Sequence, residues 1–400
     1  MTTSADDLLR QQRRERLRSR RALLRTSRPH GDDLRGVASA LVTGTTNVTG
    51  VVQQMHHAFG AFPVVTDLVY RAVQGVTGLV GEGVDAAVAA LSPVLGGSAP
   101  GLEREAVVAA INGVVGDHLE ATNNPLAIRT ALWPALDEPA HGDEVLLVLV
   151  HGSSASDLQW RRLGHDHGEA LAVELGVVPV YAQYNSGLHI STNGARLAAV
   201  LEEHASGYRS VVIVAHSMGG LVARAALAAA TTAGHSWRRA VRVLVTLGSP
   251  HQGAPLERGG HVFETLLGVT PWTAPLQTLA RVRSAGITDL RHGTVVDVDW
   301  QDKDRFAPVL DKRTPLPLPD DVRCFAVAAT TSPAGTELDR LAGDGLVPVT
   351  SAHGVHDDER LRLQFAETRI VYGTHHLGLL SSAEVYEHVR DWLREVVVVG

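Results

Sequence analysis

A chain of 400 residues with 44% hydrophobic and 20% charged residues has enough apolar material for a sizeable core, which excludes a wholly disordered protein. Phe, Trp and Tyr together make up only 4%, so Ala, Val and Leu must fill that core, and the lone Cys324 excludes an internal disulfide or a thiolate metal cluster. The net charge of −7 hides a basic start: residues 1–30 hold nine Arg against Asp6, Asp7 and Glu15.

The first segment, 1–35, therefore reads as a basic, solvated arm, with attraction to an anionic lipid surface as its functional alternative. Arg20-Arg21 is followed only by Ala22, Leu23 and Leu24 before Arg25, so the apolar stretch of an export signal is missing. No run reaches the ~18 apolar residues of a membrane span, and a cytoplasmic location, with peripheral membrane contact allowed, is the expectation. Residues 36–140 form a helical extension. Within it Val65, Leu68, Val69, Ala72, Val73 and Val76 recur at helical spacing, and Asp67, Arg71, Glu82 and Asp85 argue against a membrane span, so helices packed on the main domain are expected, with an interfacial amphipathic helix as the alternative. A further helix is expected over 102–119, after a break at Ser98–Gly101. Pro125, Pro134 and Pro139 mark a linker.

From residue 144 apolar runs alternate with helical patterns, which signals a parallel sheet with crossover helices. The expected strands are 145–150, 179–184, 211–215, 241–247, 322–328 and 368–372, with helices near 155–174, 189–205, 218–233 and 382–396. The proline-bearing stretch 252–320 interrupts the alternation and is long enough to carry elements or a function of its own.

The strongest local feature is Val211-Val-Ile-Val-Ala-His-Ser-Met-Gly-Gly220. A serine hydroxyl is a weak nucleophile and must be presented on a sharp strand-to-helix turn beside a base. Ala215 and Gly219 flank Ser217 with the small residues such a turn requires. A developing oxyanion needs donors; Ser153, after the strand ending in His151-Gly152, and Met218, opening the next helix, offer backbone N–H groups. His376, between the last strand and the last helix, is the candidate base, with His375 as its rival. Asp344, in a Gly-flanked loop after the Cys324 strand, is the candidate acid, with Asp339 and Asp304 as rivals.

These pieces, together with Thr246-Leu-Gly-Ser-Pro-His-Gln-Gly-Ala-Pro255, run in one order across roughly 141–396. In that order the chain resembles an α/β-hydrolase of the bacterial lipase type, akin to the GPI inositol-deacylase-like lipases. The resemblance implies an α/β-hydrolase catalytic domain over 141–400 with a cap over about 252–320. It implies Ser217 as nucleophile, Asp344 as orienting acid, His376 as base, and Ser153 and Met218 as oxyanion donors. The activity so implied is serine-dependent hydrolysis of lipid-like carboxylic esters without a cofactor. An acyltransferase using the same triad and a non-catalytic module binding a membrane or partner are the alternatives. The first 140 residues match no lipase core, and paired calcium-holding aspartates are not found. His56-His57 and His165-Asp166-His167 lack a metal-site pattern, Gly44-Thr-Thr-Asn47 lacks the lysine of a phosphate loop, and the basic arm lacks a nucleic-acid module.

Overall fold

The computed structural model describes residues 102–121, 123–136, 144–254, 284–303, 313–334 and 343–399. The basic arm, the helices expected within 36–97, most of the expected cap, the His56-His57 pair, the Gly44–Asn47 turn, and Asp304 and Asp339 lie outside the described residues.

In chain order, α1 (Leu102–Ala121) is followed by β1 (Ala131–Trp133), β2 (Val145–Val150), α2 (His167–Leu175), β3 (Val178–Gln183), α3 (Ile190–His204) and β4 (Ser210–His216). Then come α4 (Met218–Ala233), β5 (Val241–Leu247), α5 (Ala285–His292), β6 (Arg323–Ala329), α6 (Val349–Ala352), β7 (Glu367–Val371) and α7 (Ala383–Val399). The strands form one sheet in the order β1-β3-β2-β4-β5-β6-β7, parallel throughout except for β1 on β3.

The continuous apolar runs are the reason for this architecture. Every residue of β2 is buried, because a parallel strand is covered on both faces. Its Leu146, Val148 and Val150 pack with Leu197 of α3 and Leu221 of α4. Leu147 and Leu149 point the other way, toward Leu171 of α2 and Leu393 of α7. Parallel pairing from β2 to β7 then gathers the carboxyl ends of the strands along one edge, where the loops carrying Ser153, Ser217, Asp344 and His376 emerge.

The structure departs from the sequence reading in three places. The helix expected over 155–174 is a short 3-10 turn at Asp157–Trp160 and then α2. Leu163 and Gly164 take positive φ of 49° and 77°, closing a tight turn that no helix can contain, and Asp166 restarts the helix by accepting from the Glu169 N–H at 3.1 Å. The expected linker contains β1, paired antiparallel with Tyr181–Gln183; Pro134 sits just past this edge strand, where no ladder bond is lost. Finally, β3, β6 and β7 are each displaced by one residue from their expected bounds. Among the described residues no helix is long and apolar enough to cross a membrane.

Candidate active site

Ser217 stands between the last residue of β4 and the first of α4, with φ 54° and ψ −128°. That conformation is strained for any side chain larger than hydrogen, and it swings the serine off the strand at a sharp angle. Neighbouring small residues make the turn possible. A Cβ on Gly219 would lie 2.5 Å from the carbonyl oxygens of both Val150 and His151, atoms of the sheet that cannot retreat. A Cβ on Gly220 would overlap Ser249 Oγ. The elbow is fixed by the Ser217 N–H, which donates to the Leu247 carbonyl at 2.9 Å.

Asp344 and His376 meet through the loops after β6 and β7. His376 Nδ1 donates to Asp344 Oδ2 at 2.7 Å, and both side chains are buried. The His376 N–H also donates to the Asp344 carbonyl at 3.0 Å, so backbone and side chain hold the pair together. The other carboxylate oxygen, Oδ1, accepts from the N–H groups of Leu346 and Val347 at 2.9 and 2.8 Å. Because a carboxylate only accepts, His376 carries a proton on Nδ1, so in the neutral ring Nε2 holds the lone pair. That Nε2 is buried without a hydrogen-bond partner.

Gly248, immediately after Leu247, links this pair to the elbow. Its Cβ position lies 3.1 Å from Asp344 Oδ2 and 3.3 Å from His376 Cε1. Any side chain there would press on both residues. The rival His375 is exposed, and its Nδ1 accepts from the Gly378 N–H at 3.1 Å.

The loop after β2 crosses directly over Ser217. A Cβ on Gly152 would sit 3.0 Å from Ser217 Cβ and 3.2 Å from His216 Nδ1. The Gly152 N–H donates to Gln159 Oε1 at 3.0 Å. His151 stacks on Tyr184 with centroids 4.2 Å apart, and Tyr184 donates its hydroxyl proton to the His151 carbonyl at 2.7 Å. Burial lowers the His151 pKa to about 4, so its ring is neutral and Nδ1–H donates to the Gly152 carbonyl at 2.7 Å. Ser153 follows, with its hydroxyl buried and unpartnered. Ser154 then takes φ 55° and donates its N–H to Ser186 Oγ at 2.9 Å. Met218 contributes the first N–H of α4, one of the donors that a helix leaves free at its N-terminus.

Thus Asp344 and His376 are hydrogen-bonded, and Ser217, Ser153 and Met218 gather around one strand-to-helix turn. No bond ties Ser217 to His376 Nε2. Residue-by-residue reading missed His216, Gly248, Tyr184 and Ser186; the first two lie inside motifs singled out in the sequence, whereas the others carry no local signal. His165 and His167 form a different arrangement: His165 Nε2 bonds His167 Nδ1 at 2.7 Å, and His167 Nε2–H donates to the Leu379 carbonyl at 2.9 Å. Among the described residues no group of His, Cys, Asp and Glu is arranged to hold a metal ion.

Residues 141–315 match the family model of the PGAP1-like alpha/beta domain. No curated protein matches the chain. Among solved structures, the mature Bacillus licheniformis lipase BlEst2 is 19% identical, with 66% of this chain and 97% of that one covered and a TM-score of 0.42. A thermophilic esterase from Thermogutta terrifontis is 14% identical, with coverages of 67% and 93% and a TM-score of 0.37. The naproxen esterase of Bacillus subtilis is 12% identical, with coverages of 71% and 98% and a TM-score of 0.37. The mostly parallel seven-stranded sheet, clothed by helices on both faces, is an α/β-hydrolase fold.

Proposed function

We propose, from an α/β-hydrolase fold whose residues 141–315 match the PGAP1-like α/β domain, that this chain is a serine-dependent carboxylic ester hydrolase acting on lipid-like esters. The observation that carries the reading is the buried Asp344–His376 hydrogen bond at 2.7 Å, which leaves His376 Nε2 as an unpartnered acceptor on the strand edge that bears the strained Ser217.

In this reading a rotation of the Ser217 side chain brings its hydroxyl to His376 Nε2. His376 takes the proton as Ser217 Oγ attacks the ester carbonyl, and Asp344 stabilises the imidazolium through Nδ1–H. The carbonyl oxygen becomes an oxyanion facing the N–H groups of Ser153 and Met218, where the α4 dipole also favours negative charge. His376 then protonates the departing alcohol, leaving an acyl group on Ser217. A water, deprotonated by the same nitrogen, releases the acid and restores the serine. The neutral His151 holds the loop in shape through its bond to the Gly152 carbonyl.

The preference for lipid-like esters is supported by sequence. Val262, Phe263, Leu266, Leu267, Trp272 and Leu276 lie between Ala254 and Ser284, in the segment read as a cap. The arm of residues 1–35 is read as a separate basic element able to meet an anionic surface.

Labelling with a fluorophosphonate probe, followed by peptide mass spectrometry, tests the mechanism: the adduct belongs on Ser217. Hydrolysis of p-nitrophenyl esters from acetate to palmitate tests the substrate class, since each buried methylene is worth up to ~0.8 kcal/mol. Activity that rises with chain length is expected, and activity confined to acetate overturns the lipid reading. Product analysis with and without an acceptor alcohol distinguishes hydrolysis from acyl transfer.

A further inference from the structure

Helix α1 lies outside the segment that matches the PGAP1-like alpha/beta domain, yet it is built into the loops around Ser217. Its Gly113 faces Ser154 so closely that a Cβ there would overlap Ser154 Oγ and stand 2.8 Å from both Ser154 Cα and Cβ. One turn on, a Cβ at Gly116 would overlap Asn185 Oδ1, and Asn185 Nδ2 donates to the Gly116 carbonyl at 2.9 Å. The carbonyl of Asn112 in turn fills the space where a side chain on Gly187 would stand. Two glycines on one helical face, Gly113 and Gly116, thus let the α1 backbone touch the loops after β2 and β3.

The same helix grips a third loop. Ser284 Oγ donates to the Gly113 carbonyl at 2.7 Å, and the Ala285 N–H donates to Asp117 Oδ2 at 3.0 Å. These residues open α5, where the long segment after β5 returns. Asn112 is itself fixed, accepting from the Ile128 N–H at 2.9 Å and donating to the Leu126 carbonyl at 2.8 Å. Glycine is less favourable than alanine in a helix interior, so two glycines at these contacts are kept for close approach.

The consequence falls on the oxyanion loop. Ser154 is held at φ 55°, with its N–H on Ser186 Oγ and its side chain against Gly113. The direction of the chain at Ser154 sets where the neighbouring Ser153 N–H points. An oxyanion donor is worth about 10²- to 10³-fold in kcat and works only at hydrogen-bond distance. We infer that α1 is a positioning element for the oxyanion loop, acting through the Gly113–Ser154 contact, and that the hydrolase depends on a helix outside its family domain. This inference rests on the proposed serine hydrolase reading.

The test uses the full chain with Gly113→Ala and with Gly113→Ala combined with Ser154→Gly, each assayed for ester hydrolysis and thermal unfolding. Gly113→Ala is expected to lower kcat about 10- to 100-fold while KM changes less than about threefold, because the oxyanion exists only after attack. The double variant removes the Cβ and Oγ of residue 154, leaves only the 2.8 Å approach to its Cα, and places glycine at the positive φ, so it is expected to regain part of the lost kcat. Wild-type kcat in folded Gly113→Ala, or loss of Tm with kcat intact, overturns the positioning role. Absence of both ester hydrolysis and Ser217 labelling in the wild type overturns the serine hydrolase reading instead.

Discussion

His216 Nε2 donates to the backbone carbonyl of His376 at 3.2 Å, tying the residue before Ser217 to the partner of Asp344. Their rings lie 4.7 Å apart, and burial, with His376 close by, pushes the His216 pKa well below its ordinary value. A neutral ring must carry its proton on Nε2 to make this bond, so His216 is a fixed donor that sets the distance between the two loops.

Loss of this donor should loosen the site without touching the ester. His216→Phe strands a buried carbonyl, at a cost of about 1–3 kcal/mol in stability, and is expected to lower kcat more than it raises KM. His216→Gln places an amide N–H near the position of Nε2 and is expected to restore part of both. Steady-state kinetics and urea unfolding of the two variants check this; equal behaviour of Phe and Gln would remove the hydrogen bond from the account.

Ser217 gives a prediction in which activity and stability separate. Ser217→Ala and Ser217→Gly are both expected to lose about 10⁴-fold or more in turnover. The glycine variant fits φ 54° and ψ −128° without a Cβ, whereas alanine keeps the strain. Ser217→Gly should therefore unfold at higher denaturant than Ser217→Ala, by roughly 1 kcal/mol of stability. A more stable alanine variant would show that the elbow is not strained.

The choice between adjacent histidines is also open to measurement. His376 is buried against Asp344, whereas His375 is exposed and bonds only the local Gly378 N–H. His376→Ala should cost about 10³-fold or more in kcat, and His375→Ala only a few-fold. Asp344→Asn should cost about 10³- to 10⁴-fold, since an amide no longer stabilises the imidazolium and can select the wrong tautomer. Kinetics of the three variants decide it, and a reversed order of the histidines would shift the base by one residue.

Much of this arrangement was legible because its signals are local. The run Val211–Ala215, then small residues around Ser217, then an Ala-rich stretch can hardly be read except as strand, turn and helix. Asp344 and His376 were candidates through their positions after apolar strands, beside His375, Asp339 and Asp304, and only their 2.7 Å hydrogen bond, invisible in the sequence, brings the two together. The contacts of α1 were not legible, because Gly113 and Gly116 in a helix read only as low propensity; their purpose depends on Ser154 and Asn185, distant in sequence. The turn at Leu163-Gly164 was hidden by apolar residues on both sides that matched a helical period. β1 was hidden because three residues beside a proline carry no periodicity of their own, and its identity comes from the Tyr181–Gln183 edge that it covers.

Stability in acid should depend on the histidines that the fold holds neutral. Burial lowers both His151 and His167 to about 4, while an unfolded chain protonates histidine near its ordinary 6.5. Between those values the unfolded state binds more protons, so unfolding free energy falls as pH drops, by up to about 1.4 kcal/mol per pH unit for each such group. The contribution is fully present above pH 6.5, declines below it, and has been lost once pH falls through about 4. Carboxylates also titrate near the acid end, so the clean quantity is a difference between wild type and a variant. His167→Gln keeps an N–H able to reach the Leu379 carbonyl, which His167 Nε2 bonds at 2.9 Å, and removes the titration. Urea unfolding at steps from pH 7.5 to 4.5 should give a shallower acid slope for His167→Gln than for wild type, approaching a difference of about 1.4 kcal/mol per pH unit near pH 5. Parallel slopes would mean that His167 takes up its proton in the folded state as readily as in the unfolded one, and that the chain from His165 through His167 to Leu379 does not hold the ring neutral.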